Sequence, residues 1–234
     1  MTRPCAIAFD LDGTLIDSAG GIAHALNAAL AQDGLPAFDL ASVRAWIGDG
    51  PDLLIARALE AIAVPAQGRT ELAARLRSSF DLATLRAPMR GSRVFDGIAD
   101  LLTALAARMP LVVVTNKPTP LARAVLNEAG LLAHFTAVYG ADLPSQRKPS
   151  PLLLTQAAAE LGMAAPALLM VGDAAPDLGA AQAAGCPAAW AGWGYWQIAA
   201  PLPAPAAPAA PLWRLRTPND LLAHLEAPAP QLQN

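Results

Sequence analysis

Asp10 and Asp12 flank a single leucine at the end of the apolar run "CAIAF", and Gly13 and Thr14 follow at once. Asp and Gly are common turn formers, so the pair alone fits an acidic turn. It equally fits a cation site built at a strand end. Other polar residues decide between these. Thr115 and Asn116 close the run "LVVVT", Lys148 stands in "RKPSP", and Asp173 and Asp177 lie in "VGDAAPD". Carboxylates gathered together repel one another unless a cation joins them. Hard oxygen donors with room for water suit Mg²⁺. There is no Cys/His cluster of the kind zinc takes. His24, His134 and His224 lie away from these strand ends, which argues against a Ser/His/Asp triad. The nucleophile and the acid–base are therefore expected to be carboxylates.

The elements that must position these groups are short apolar runs. Residues 5–9, 111–115, 137–140 and 167–171 lack polar alternation, as strands covered on both faces do. Helical stretches, such as 121–129 and 151–161, lie between them. Strand–helix alternation of this kind predicts an α/β fold, a doubly wound parallel-sheet (Rossmann-like) core. Each polar group then falls at the carboxyl end of its strand or a short loop beyond, the edge where open parallel sheets bind ligands. A further strand is expected at 212–215. Thr217 reads as an N-cap with Pro218 first in a last helix running to Glu226. Residues 19–88 carry helical patterns and no convincing strand. Within them Leu53, Leu54, Ala58 and Leu59 are expected on one buried stripe. The predicted organisation is a core of residues 1–18 and 89–234 with a small helical cap, 19–88, inserted.

Composition narrows the partners. The net charge is −3, from 16 basic and 19 acidic residues, with no run of either sign, which argues against nucleic acid. The tract 178–213 has no charged residue, but its centre, "APLPAPAAPAAP", breaks any spanning helix. It reads as an extended Pro/Ala loop over 199–211. The N-terminal apolar stretch is too short for a signal peptide. Cys5 and Cys186 have no metal-type spacing and read as reduced thiols. The expectation is a soluble, cytoplasmic protein, a monomer or homodimer, with no membrane partner. Of the 16 basic residues only Lys117 and Lys148 are lysines, and both stand in the polar segments named above. Lysine supplies a compact, strongly hydrated point charge that arginine does not. Lys117, just before Pro118, is expected to point to the rim.

Taken together, "FDLDGTLIDS", "VVTNKP", "RKPSP" and "MVGDAAPDLGAAQAAGC" resemble, in order, the four motifs of the haloacid dehalogenase superfamily. "WIGDGPDLLIARAL" and "TNKPTPLARAVLNEAGL" are most similar to its bacterial phosphoglycolate phosphatases. The resemblance implies that Asp10 is the nucleophile, forming an aspartyl-phosphate, and that Asp12 is the acid–base. It implies that Mg²⁺ is held by Asp10, Asp173 and the Asp12 carbonyl. Thr115, Asn116 and Lys148 would bind the phosphoryl group, with Asp177 orienting Lys148 or a metal-bound water. Asp12 favours phosphate esters, because an alkoxide leaving group needs an acid and a halide does not. The implied substrate is a small phosphorylated metabolite, 2-phosphoglycolate first. Other capped members (sugar-phosphate phosphatase, pyrophosphatase, phosphomutase) and a non-catalytic phospho-ligand-binding regulator are the alternatives. Two positions depart from the family: Ala174 and Pro176 replace a usual hydroxyl and amide, with a modest effect expected on metal geometry and none on the fold. The loop "IGDGPD", 47–52, is the expected specificity element, through Gly48, Asp49 and Gly50, with Arg44 compensating the charge of Asp49.

Overall fold

The runs of alanine, valine and leucine form the sheet, because only there can both faces of each strand be covered. The computed structural model describes residues 3–196 and 211–226. β1 (Ala6–Phe9) is followed by the two-residue β2 (Ile16–Asp17) and by helices α1 (Ala19–Gln32) and α2 (Leu40–Trp46). Two more helices, α3 (Pro51–Ala61) and α4 (Arg69–Arg86), lead to a short β3 (Arg93–Val94) and α5 (Ile98–Ala106). Strands and helices then alternate as β4 (Leu111–Thr115), α6 (Thr119–Glu128), β5 (Ala137–Gly140) and α7 (Leu152–Glu160). β6 (Leu168–Gly172), α8 (Ala175–Ala184), β7 (Ala188–Ala191), β8 (Trp213–Leu215) and α9 (Pro218–Glu226) complete the described chain. The expected Pro/Ala loop lies almost wholly outside the described residues.

The sheet has six parallel strands in the order β5-β4-β1-β6-β7-β8. Phe9 of β1 is in register with Val113 on one side and Val171 on the other. The chain winds outward in both directions from β1, so the strand order reverses there, where such sheets form a crevice. Alternation along the strands feeds two cores. Ile7, Phe9, Val113 and Val171 face one, with α5, α6 and α9 against them. Ala6, Ala8, Val112, Val114 and Met170 face the other, under α7 and α8. This is the doubly wound α/β arrangement.

A third apolar cluster belongs to α1–α4: Leu26, Leu30, Val43, Ile55, Leu59, Leu76 and Phe80, joined by Leu121 of α6. β2 and β3 pair antiparallel, Ile16 against Val94, and carry the chain out to these helices and back. The stripe expected on α3 is off by one residue. Ile55 is buried with Leu54, Ala58 and Leu59, while Leu53 is 42% exposed. β7, "AAWA", was not expected as a strand; small residues gave it little β signal. At Thr217 the hydroxyl donates to Asp220 Oδ1 (2.9 Å), and Asp220 Oδ2 accepts from the Thr217 N–H (3.2 Å). The last helix starts there as expected.

The end of β5 supports the chain that leaves β4. A Cβ built on Gly140 would stand 2.2 Å from the Thr119 nitrogen and 2.5 Å from the Lys117 carbonyl oxygen. Both are backbone atoms and neither can swing aside. Gly140→Ala is therefore expected to destabilise the protein by about 1–3 kcal/mol, the usual cost of overpacking. Urea unfolding checks this, and an unchanged midpoint would show that residues 117–119 are free to shift.

Candidate active site

Four chain segments bring charge to the carboxyl edge of the sheet. The Asp10 N–H donates to Val171 O (2.9 Å), which extends β1 by one residue and fixes Asp10 between the ends of β4 and β6. Lys148 arrives from the loop after β5. Its Nζ donates to Asp10 Oδ1 (2.7 Å), to Asp177 Oδ1 (2.6 Å) and to the Val114 carbonyl (2.9 Å). All three ammonium protons are thus used. Burial opposes the charge on Lys148, but the attraction of Asp10 and then Asp177 outweighs it and holds its pKa above the ordinary lysine value.

Carboxyl oxygens of Asp10, Asp173 and Asp177 lie within 4.8 Å of one another, and all three residues are buried. Burial pushes Asp10 up to about 6, although Lys148 pulls the other way. Burial, reinforced by Asp177 and Asp10, pushes Asp173 up to about 7. Lys148 alone does not neutralise the cluster. A further cation fits here. The donors are hard oxygens, and Asp173 is held in place by the Thr14 hydroxyl (3.0 Å to Oδ1) and the Tyr195 N–H (2.8 Å to Oδ2). Neither Thr14 nor Tyr195 was singled out in the sequence. The Tyr195 hydroxyl also accepts from the Ser18 and Ala19 N–H groups (2.6 and 2.9 Å), at the start of α1.

Asp177 serves two partners. One oxygen takes Lys148, and the other accepts from the Ala174 N–H (3.0 Å), closing the turn that opens α8. Ala174 is the N-cap residue and Pro176 stands in the first turn, where its missing N–H is unneeded. The helix forms despite both departures.

Thr115 is buried, and its hydroxyl accepts from the Lys117 N–H (3.2 Å). The Asn116 side chain is fully engaged. Its Oδ1 accepts from the Lys148 N–H (2.7 Å), and its Nδ2 donates to the carbonyls of Gly48 (2.8 Å) and Lys148 (3.2 Å). Asn116 is therefore a clamp between three loops. Lys117 does not reach the rim. It is 6% exposed, and its Nζ donates to both Asp12 oxygens at 2.7 and 2.6 Å.

A cavity opens over Asp10 and Asp12. Trp46, Ile47, Leu54 and Phe80 form its far wall, and Gly48 and Gly50 reach it with main chain. Gly50, at φ +84°, comes so close that a Cβ would stand 2.8 Å from the Asn116 carbonyl oxygen. Asp49 pairs instead with Arg57 of α3. Arg44 lies over the Tyr195 ring, 4.8 Å from its centroid. Neither of these two lines the cavity.

A family model for haloacid dehalogenase-like hydrolases matches residues 6–185. The chain belongs to that family. It is 41% identical over 190 residues to the phosphoglycolate phosphatase of Yersinia pseudotuberculosis, covering 81% of each protein. To the phosphoglycolate phosphatase of Escherichia coli K12 it is 37% identical over 208 residues, again 81% of each. A crystal structure described as a predicted phosphoglycolate phosphatase from Haemophilus somnus 129PT superposes with TM-score 0.81 at 30% identity, covering 96% of this chain and 99% of that one. No helix among the described residues is long and apolar enough to cross a membrane.

Removing the cation and keeping the acids tests the electrostatics directly. Lys148→Met leaves two buried carboxylates without their partner, which is expected to cost about 3–5 kcal/mol. Urea unfolding at pH 8 with a chelator present measures it. A loss below about 1 kcal/mol would mean the carboxylates do not depend on Lys148.

Proposed function

We propose that this hydrolase is a Mg²⁺-dependent phosphatase that cleaves a small phosphomonoester, 2-phosphoglycolate above others, through an aspartyl-phosphate. One observation carries the reading: a buried carboxylate, Asp10, stands at the switch point of the sheet with an ammonium 2.7 Å away and two further carboxylates beside it. The substrate assignment is supported by the phosphoglycolate phosphatases at 37–41% identity.

In this reading an Asp10 oxygen forms a bond to phosphorus as the bond from phosphorus to the ester oxygen breaks. Asp12 supplies the proton to the departing oxygen. It then takes a proton from the water that attacks the acyl-phosphate, releasing inorganic phosphate and restoring Asp10. Lys148 holds the Asp10 rotamer and offsets charge on the transferring group. Thr115 through its hydroxyl, and Asn116 through its main chain, meet the phosphoryl oxygens, since the Asn116 side chain is spent on Gly48 and Lys148. Asp177 keeps Lys148 in place. Asp10, Asp173 and the Asp12 carbonyl are the groups that would hold Mg²⁺, and the ion when bound neutralises phosphoryl charge.

Residues 19–88 are proposed to act as a cap over the core formed by 1–18 and 89–234. The separate apolar cluster of α1–α4 and the β2–β3 ribbon support this. So does the composition of the cavity, walled by α2, α3 and α4 on one side and by Asp10, Asp12 and Thr115 on the other.

Asp10→Asn should keep the fold and lose roughly 10⁴-fold or more in kcat, because an amide cannot form the acyl-phosphate. EDTA should abolish turnover and Mg²⁺ restore it. Near-normal rates in that variant, or in EDTA after dialysis, would remove the nucleophile or the metal from the mechanism. A panel of phosphate esters checks the substrate, and another ester turned over faster than 2-phosphoglycolate would replace it.

A further inference from the structure

Among the described residues lining the cavity Lys117 is the one cation, and it stands against an otherwise largely apolar wall. The neighbouring arginines have partners elsewhere. Arg44 lies on the Tyr195 ring, Arg57 holds Asp49 and the Trp46 carbonyl, and Arg77 and Arg147 both hold Asp52. An anion entering the cavity therefore meets, apart from Lys148 behind Asp10, one ammonium in the wall, already bound to the two oxygens of Asp12.

From this geometry we infer that Lys117 is the specificity-determining residue for a second anionic group on the substrate, a carboxylate close to the ester oxygen. The inference rests on the phosphatase reading above. Asp12 takes two of the three ammonium protons, so the third can meet a substrate carboxylate while one Asp12 oxygen stays bound, and the substrate pair is added rather than exchanged. Lysine suits this sharing, as a point charge on a flexible stem with three rotatable donors, where a planar guanidinium would be tied to one fork geometry. The main chain stays fixed meanwhile, because the Lys117 N–H is held by the Thr115 hydroxyl. When the ammonium turns to the substrate, it frees one Asp12 oxygen for the departing ester oxygen. An ester with no second anion leaves Lys117 where it is, covering both. Selection by charge thus comes from the sheet edge itself, and Arg44 and Asp49 take no part in it.

Binding separates this inference from turnover. In the Asp10→Asn protein with Mg²⁺, calorimetry compares 2-phosphoglycolate with ethyl phosphate, which carries no carboxylate. The carboxylate ester should bind about 30-fold tighter or more, the size expected of a buried charge pair. Adding Lys117→Met should cut that preference to below about threefold, while Lys117→Arg, which keeps the charge, should retain part of it. Circular dichroism confirms that each variant is folded. A preference that survives Lys117→Met, or no preference in the Lys117 parent, overturns the inference. Failure of the Asp10 protein to hydrolyse either ester would instead overturn the phosphatase reading, and leaves the binding comparison able to decide this one.

Discussion

The Lys148 ammonium bridges two buried carboxylates, and the whole edge of the sheet is arranged around that bridge. It ties the end of β1 to the start of α8 and, through the Val114 carbonyl, to β4. Desolvating three charges is expensive, and the pairing repays it only when each remaining donor and acceptor is satisfied. Here each ammonium proton has an oxygen, and the second Asp177 oxygen is used by the Ala174 N–H. What remains short of positive charge is the Asp10–Asp173 side of the cluster. Burial first, and then the neighbouring carboxylates, raise the pKa values of both, and a divalent cation would offset the repulsion.

Asn116 carries this order outward. Its side chain binds the main chain on both sides of Lys148 and the Gly48 carbonyl, so the loop between α2 and α3 is held over the same groups that the ammonium organises. Tyr195 makes a second link of the same kind. Its backbone N–H orients Asp173, and its hydroxyl anchors the first turn of α1 while facing Asp17 (3.0 Å). Two uncharged side chains therefore connect the carboxylate cluster to the helical region.

Much of this was legible in the residue order. Four strands, their shared edge and the groups on it follow from apolar runs, three of which give way to Asp, Thr or Asp again where the chain leaves the sheet and its side chains turn to the crevice. What failed to show had a different physical basis. Lys117 precedes a proline, and local backbone rules place it in a turn without saying which way its side chain faces. That is decided by Asp12, 105 residues away in the chain. Tyr195 contributes a backbone N–H, a group every residue but proline carries, so no residue type betrays it. Thr14 was visible next to Gly13, yet its role needs Asp173 beside it. Leu53 and Ile55 show a simpler limit: periodicity fixes a stripe only to within a residue.

One ionic contact behaves unlike the rest. Asp52, at the start of α3, accepts from Arg77 of α4 and from Arg147, the neighbour of Lys148, yet its side chain is 43% exposed. The Lys148 trio is buried and little screened by salt, whereas a half-exposed pair is screened once the Debye length falls to about 8 Å at physiological salt. Any displacement of α3 from the sheet edge must break the bond to Arg147. Salt therefore weakens the link between α3 and the loop that carries Lys148 well before it disturbs the buried bridge beneath, so the two ionic contacts that meet in that loop answer to ionic strength separately.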